Sequence, residues 1–195
     1  MHVVAPGTGW IEVISGPMFS GKTEELVRRL RRARIARQPL QVFKPAIDDR
    51  YDAAQIVSHS AQAMVAEPVQ GVEELARRVA AETRVVGIDE VQFFDRSVVD
   101  LAERLARSGV RVICAGLDQD YRGRPFEPMP ELLALAEYVT KALAICSRCG
   151  APAGRSQRLR GAASTVEVGA AESYEARCRR CHVPRVEAIS GDLFP

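Results

Sequence analysis

Short apolar runs alternate along this chain with longer segments in which apolar residues recur at helical spacing. The apolar runs predict buried strands at residues 10–14, 40–43, 84–88, 110–115 and 141–145. The helical spacing predicts helices at residues 24–38, 72–82, 97–108 and from 129 or 130 to about 138. Strands and helices in repeated alternation predict an α/β fold whose parallel sheet is covered by helices on both faces.

A glycine-rich segment, GPMFSGKT at residues 16–23, joins the first strand to the first helix. This order is typical of a P-loop, in which unpaired backbone N–H groups and the helix dipole hold a polyphosphate. A chance match in a surface turn is the alternative, but the position between strand and helix favours the P-loop. Lys22 is expected at the β- and γ-phosphates, and the Thr23 hydroxyl at the bridging Mg²⁺. The predicted ATP-binding residues of this segment are Gly16, Pro17, Met18, Phe19, Ser20, Gly21, Lys22 and Thr23.

The strand at residues 84–88 ends in Asp89 and Glu90. An aspartate after a hydrophobic strand, downstream of a P-loop, is the Walker B arrangement, so we expect Asp89 in the magnesium shell. Glu90 points to the other side of the strand and can face a substrate. A solvated corner is the alternative for such an acidic pair, but the P-loop upstream favours catalysis.

Two loops that follow strands, together with an aromatic pair, add candidate ligand contacts, because open α/β sheets bind ligands at the carboxyl ends of their strands. In the loop at residues 44–51, Asp48 and Arg50 are candidates for Mg²⁺ and phosphate, although the composition equally fits a simple turn. Phe93, in VQFF, could stack on a flat heterocycle or pack in the core with Phe94. The loop GLDQDYRGRPF at residues 116–126 suits a nucleoside.

Four cysteines form two CxxC pairs, Cys146 with Cys149 and Cys178 with Cys181. The spacing is that of a zinc ribbon, and a structural zinc is favoured over disulfides or an iron–sulfur cluster. His182 could replace a cysteine, but the symmetric four-cysteine site is preferred. The segment between the pairs could form a lid over the main domain, or the ribbon could be only a structural or nucleic-acid-binding knob.

Composition limits the functional classes. The chain has 195 residues, 47% of them hydrophobic and 27% charged, with a net charge of +2. This balance argues against a nucleic-acid partner and for a solvated arginine-rich face on the first helix. No apolar run approaches the roughly 18 residues of a membrane span, and no signal peptide is recognised, so a cytoplasmic protein is expected. The length accommodates a main domain at residues 10–145 and a small zinc unit at residues 146–190.

Taken together, the motifs resemble those of the type II thymidine kinases. GPMFSGKT, DDRY, DEVQFF, GLDQDYRGRPF, CSRC, SQRL and VGAAESYEARCRRC occur in the family's order across residues 11–182. The resemblance implies a RecA-like P-loop core with a zinc-held lasso, ATP as phosphate donor and thymidine as acceptor. It implies that Glu90 is the general base, that Asp48, Thr23 and Asp89 attend Mg²⁺, and that the ATP site also includes Arg50, Asp89, Glu90, Val91 and Gln92.

The same resemblance implies a thymidine pocket and a regulated assembly. The substrate-binding residues that it implies are Met18, Phe93, Leu117, Tyr121, Phe126, Ser156, Val166, Val168 and Tyr174. Ser156, Tyr121 and Ala170 depart from the usual threonine, phenylalanine and glycine. Family members are similar in forming homotetramers and in being inhibited by thymidine triphosphate. Two other classes remain open on the residues alone: a DNA-stimulated ATPase with a zinc ribbon, and a kinase for another nucleoside such as deoxycytidine.

Overall fold

The computed structural model describes residues 7–47, 55–57, 63–159 and 173–184. The helices of this part are α1 (Lys22–Ile35), α2 (Val72–Arg78), α3 (Ser97–Arg107) and α4 (Met129–Leu135). The strands are β1 (Trp10–Ser15), β2 (Leu40–Pro45), β3 (Gln55–Val57), β4 (Ala63–Val65), β5 (Glu67–Val69), β6 (Val85–Ile88), β7 (Arg111–Gly116), β8 (Tyr138–Lys141), β9 (Ala144–Ile145), β10 (Pro152–Ala153), β11 (Arg155–Arg158) and β12 (Tyr174–Arg177).

Six strands form one parallel sheet in the order β5-β2-β6-β7-β1-β8. Successive residues of β7 face opposite sides: Val112 and Cys114 join the core that α3 and α4 cover, whereas Ile113 and Ala115 join the core that α1 covers. Both faces are therefore buried, which explains the continuous apolar runs of the sequence. The predicted parallel sheet with helices on both faces is confirmed.

The parallel arrangement brings the carboxyl ends of β1, β2, β6 and β7 to one edge of the sheet. The P-loop follows β1, Asp89 follows β6, and the loop at residues 117–126 follows β7. Because β7 lies between β1 and β6, the P-loop and Asp89 approach each other across the end of that central strand. The candidate site lies at this edge.

Four predicted boundaries are wrong by three residues or more, and in two of these cases a side chain binds backbone that is distant in the sequence. Helix α2 ends at Arg78 rather than at residue 82, because the Gln41 side chain accepts the Ala80 N–H at 2.8 Å. Helix α4 ends at Leu135, and Glu137 instead accepts the Ile11 N–H at 2.7 Å. The last strand of the sheet is β8, not residues 141–145, since Ala144–Ile145 pairs antiparallel with β10. Helix α1 also ends earlier than expected, at Ile35.

The cysteine-containing segment builds two small antiparallel pairs, β9 with β10 and β11 with β12. Its own buried cluster is small, and its members are Ala144, Cys146, Ala153, Ala176 and Cys178. A core of alanines and cysteines buries little apolar surface, so this unit depends on other contacts for stability. Among the described helices, none combines the length and the apolar character that crossing a membrane requires.

Candidate active site

The P-loop has the backbone geometry that a phosphate cradle needs. Helix α1 begins at Lys22, after Gly21 at φ 79°, and no side chain caps its N-terminus. An uncapped helix N-terminus after a glycine turn is a typical anion-binding position. Gly16 has φ 150°, and a Cβ there would lie 2.4 Å from the Ala142 carbonyl oxygen, so only glycine fits. Phe19 also adopts a left-handed conformation, at φ 65°. These features agree with the predicted turn.

Lys22 and Thr23 point toward the groups expected of a nucleotide site. Lys22 is buried, and its Nζ donates to the Pro17 carbonyl oxygen at 2.8 Å, so the ammonium lies over the loop. Thr23 Oγ1 donates to Asp89 Oδ2 at 3.1 Å, which joins the P-loop to the end of β6. A hydroxyl and a carboxylate in contact are the hard oxygen ligands that Mg²⁺ prefers.

Asp89 is 5% exposed, and its environment disfavours a lone negative charge. Burial, together with the charge of the neighbouring Glu90, raises the pKa of Asp89 to about 7, although hydrogen bonds from the Glu90 N–H and Thr23 oppose the shift. A bound divalent cation would favour the ionised carboxylate. The donor set and its electrostatics therefore fit a magnesium ion held by Thr23 and Asp89.

Glu90 occupies a strained backbone position, at φ 48° and ψ 43°. Such a left-handed conformation is uncommon for a residue with a long side chain and is found most often at functional sites. The side chain of Glu90 is held by Gln92, whose Nε2 donates to Glu90 Oε2 at 2.6 Å. Gln92 itself is 3% exposed and also accepts the Leu117 N–H at 3.0 Å.

The predicted aromatic wall is partly assembled. Phe93 is half-buried and meets Phe126 edge to face, with ring centroids 6.4 Å apart. Phe94, in contrast, is 6% exposed and belongs to the core beneath α3. The two phenylalanines therefore divide the two predicted roles: Phe94 packs in the core, and Phe93 remains available to a ligand.

A buried arginine joins the loop after β7 to the cysteine-containing unit. Arg158 in β11 is 3% exposed, and its guanidinium carbon lies 4.1 Å from the ring centroid of Tyr121. Its Nε and Nη2 donate to the Tyr174 hydroxyl at 3.0 and 2.8 Å. Arg122 Nε in turn donates to the Tyr121 hydroxyl at 2.9 Å. Tyr121 and Tyr174, both predicted substrate residues, are thus brought together through Arg158.

Ser156 links the same unit to the P-loop. Its Oγ is buried and accepts the Met18 N–H at 3.0 Å. Two residues predicted for substrate binding therefore contact each other directly. The smaller serine hydroxyl is sufficient for this bond, so the departure from the family's threonine keeps the donor and acceptor chemistry.

The four predicted zinc ligands are brought together. The sulfur atoms of Cys146, Cys149, Cys178 and Cys181 all lie within 4.8 Å of one another. The Cys149 sulfur lies 3.6 Å from those of Cys178 and Cys181, close to the ~3.8 Å expected between thiolates on a tetrahedral zinc and too far for a disulfide. His182 contacts the Tyr121 carbonyl oxygen instead, at 2.9 Å from Nε2. The preferred four-cysteine site is confirmed as one able to hold a metal ion.

The remaining cysteine, Cys114, lies in the core. Burial raises the pKa of its thiol to about 12, as expected for an inert thiol. The predicted residues Asp48, Arg50, Val166 and Val168 lie outside the described residues. Sequence reasoning did not identify Arg158 or the contact between Gln92 and Glu90. Arg158 carried a weak signal, since it belongs to the SQRL motif, whereas the contact of Gln92 depends on the spatial neighbourhood of β6 and β7.

Comparison with known proteins decides the family. A family model described as thymidine kinase matches residues 9–182, most of the chain. The chain belongs to the thymidine kinase family. It is 58% identical over 176 residues to a thymidine kinase from Rhodothermus sp. (strain ITI 518), an alignment that covers 90% of this chain and 82% of that protein. The structure of the Pif1 helicase from Candida albicans superposes with a TM-score of 0.38 at 14% identity, over 72% of this chain and 39% of that one. This similarity is too weak to indicate a shared fold or function.

Membership of the thymidine kinase family confirms the resemblance recognised from the ordered motifs. The members are ATP-dependent phosphotransferases, and this activity agrees with the nucleotide-type geometry at the sheet edge. It also disfavours the alternative of a DNA-stimulated ATPase.

Proposed function

We propose that this chain transfers the γ-phosphate of ATP to the 5′-hydroxyl of thymidine, giving thymidine monophosphate, with Glu90 as the general base. The observation that carries the assignment of roles is the contact between Thr23 Oγ1 and Asp89 Oδ2. This contact joins the donor cradle to the end of β6, and it supports the proposal that the next residue, Glu90, lies beside the transferred phosphoryl group.

On the donor side, the N–H groups at the start of α1 bind the phosphate oxygens, and Lys22 leaves the Pro17 carbonyl to contact the β- and γ-phosphates. Thr23 and Asp89 would hold Mg²⁺, which would neutralise charge on the phosphates. Asp48 and Arg50 are proposed to complete this shell. Val91 is proposed at the edge of the same nucleotide site.

On the acceptor side, Glu90 accepts the proton of the 5′-hydroxyl as that oxygen bonds to the γ-phosphorus and the bond from this phosphorus to the β,γ-bridging oxygen breaks, so that ADP leaves. Phosphoryl transfer requires little more of the protein than alignment and charge stabilisation. The thymine base is proposed to lie among Met18, Phe93, Leu117, Tyr121 and Phe126, with Ser156 at its edge. Main-chain groups near Val166 and Val168 and the ring of Tyr174 are proposed to cover the base and the sugar.

A structural Zn²⁺ on the four cysteines is proposed to hold the covering segment in place. By resemblance to the family, we also propose a cytoplasmic homotetramer that thymidine triphosphate inhibits. Sedimentation of the zinc-loaded protein tests the assembly, and turnover measured with increasing thymidine triphosphate tests the inhibition.

The experiment that tests the reaction combines a nucleoside panel with one substitution. With labelled ATP, thymidine should be the preferred acceptor over deoxycytidine, and ADP should form in proportion to it. Glu90→Gln should lower kcat by roughly 10²- to 10⁴-fold and leave ATP binding nearly unchanged. Glu131→Gln, which alters an exposed pair with Arg96, is the matched control and should stay within about twofold. Unchanged turnover in Glu90→Gln, or ATP hydrolysis that polynucleotide stimulates without thymidine, would refute the proposal.

A further inference from the structure

Gln92 connects the proposed general base to the wall of the proposed thymine pocket. The side chain is 3% exposed, and both ends of its amide are used. Nε2 donates to Glu90 Oε2 at 2.6 Å, and Oε1 accepts the Leu117 N–H at 3.0 Å. The amide thus spans from the end of β6 to the end of β7.

The hydrogen-bonding partners fix the orientation of this amide. The Leu117 backbone N–H can only donate, so the oxygen of Gln92 must face it. The amino group is then directed at Glu90, where it can only donate to the carboxylate. Rotation of the amide by 180° would set two donors against each other at Leu117 and two acceptors against each other at Glu90.

The local packing leaves room for this one arrangement. A Cβ at Gly116 would lie 2.6 Å from Gln92 Oε1 and 2.9 Å from Val91 Cγ1, so the close approach of the amide to β7 requires glycine there. Glu90 has the left-handed backbone described above, and a residue held in such a conformation relies on its neighbours to fix its side chain. Gln92 supplies such a contact from a buried position, with its amide oxygen bonded to the Leu117 N–H.

We propose that Gln92 is a positioning residue, which holds the Glu90 carboxylate in line with the acceptor hydroxyl and ties that position to Leu117. This role rests on the proposed function of Glu90 as the base. It differs from the ATP contact that resemblance alone suggests for Gln92, because the amide is occupied by Glu90 and Leu117. Gln92 acts on the reaction through Glu90 and not through either substrate.

The first test is Gln92→Met, a change of similar length that removes both hydrogen bonds. We expect kcat to fall roughly 10- to 100-fold, because small misplacements of a reacting group have effects of this size, while KM for ATP and thymidine stays within about threefold. Gln41→Met is the matched control. Gln41 also bridges backbone groups, accepting the Ala80 N–H and donating to the Arg78 carbonyl, but it lies near the amino end of β2, away from the sheet edge that carries the site. It should lower thermal stability and leave kcat unchanged.

The second test repeats Gln92→Met in a Glu90→Ala background, where no carboxylate remains to be positioned. The effect of Gln92→Met on the residual kcat should there shrink to less than about twofold. A full loss that persists in this background, or a rise in KM for ATP without a fall in kcat, would overturn the proposal. If Glu90→Gln alone leaves kcat unchanged, the proposed function fails instead, so the two failures are distinguishable.

Gln92→Glu covers the case in which Gln92→Met does not fold. The carboxylate can still accept the Leu117 N–H, but it places a negative charge where Glu90 needs a donor. We expect kcat to fall at least as far as in Gln92→Met; because a buried carboxylate beside Glu90 also destabilises the fold, kcat is measured well below the thermal midpoint of the variant. Wild-type turnover in a folded Gln92→Glu protein would contradict the positioning role.

Discussion

Replacing Arg158 should weaken both the fold and thymidine binding, because this one side chain joins two tyrosines from different parts of the chain. Its two donated bonds to the Tyr174 hydroxyl are 3.0 and 2.8 Å long, and its guanidinium stacks on Tyr121 at 4.1 Å. The side chain is 3% exposed, so solvent cannot replace these partners. The perturbation is Arg158→Met, which keeps much of the apolar stem and removes the guanidinium.

The expected losses in stability and in thymidine binding are estimated from these contacts. A hydrogen bond from a charged donor contributes about 1.5–3 kcal/mol, and a desolvated cation–π contact about 2 kcal/mol. The two bonds share one acceptor, and burying the guanidinium has its own cost, so the contributions do not add. We expect the free energy of unfolding to fall by about 2–4 kcal/mol. If about 1.4 kcal/mol of this is expressed in binding, KM for thymidine rises about tenfold.

The assay is urea unfolding of the zinc-loaded protein together with KM for thymidine at saturating ATP. Arg158→Lys should recover only part of the loss, since an ammonium lacks the planar fork that meets the hydroxyl twice. Arg28→Met is the control, because its side chain is 60% exposed and its pair with Glu25 is worth below about 1 kcal/mol. Equal losses in the Arg158 and Arg28 variants, or an unchanged KM in Arg158→Met, would refute the reasoning.

Three further predictions concern packing in the core, the loss of stability at low pH and the proposed zinc ion. Gly87→Ala puts a Cβ 3.0 Å from both Leu30 methyl groups and should destabilise by about 1–2 kcal/mol in urea unfolding, whereas Gly154→Ala, with its nearest atom at 3.6 Å, should be nearly neutral. Burial raises the pKa of Glu12, but bonds from Arg111 and Trp10 outweigh it and hold the pKa below 4.5. The ionised Glu12 therefore stabilises the folded protein above about pH 4.5, and this stabilisation is lost as the pH falls through the lowered pKa. Glu12→Gln should lower the free energy of unfolding by about 3 kcal/mol at pH 7, and this difference from the wild type should shrink in acid. Elemental analysis should find one zinc per chain, and chelation should lower the midpoint of thermal unfolding; Cys114→Ala should leave the zinc content unchanged, and a full zinc content in Cys178→Ala would count against the site.

The features that the sequence predicts well are those whose signal is local. The strand–turn–helix order around residues 16–23 fixes the cradle, and an aspartate after an apolar strand fixes the partner of Thr23, because parallel strands end at one edge of the sheet. The spacing of the CxxC pairs likewise identifies the four candidate metal ligands. Each of these conclusions needs only residue types at short spacing and the general geometry of a parallel sheet.

The features that the sequence does not predict are those decided by partners far away in the chain. Nothing near residue 80 indicates that Gln41 will bind its backbone and end α2, and nothing near residue 137 indicates that Glu137 will bind Ile11 and allow β8 to form. The contact of Gln92 with Leu117 has the same origin. Helical or strand propensity is a weak prior that such tertiary bonds readily override.

The position of the small cysteine-containing unit explains why a bound metal ion would matter where the buried apolar core is so small. Its strand β11 reaches the donor loop through Ser156 and Met18, and the loop after β7 through Arg158 and Tyr121. These contacts need the strand to be held in one position, yet a cluster of alanines and cysteines buries too little apolar surface to hold it alone. Four thiolates on one ion would fix the two strand pairs without filling space that a ligand needs. A metal ion at this site would therefore affect both proposed substrate sites at a distance, by holding the strand that contacts the donor loop and the loop after β7.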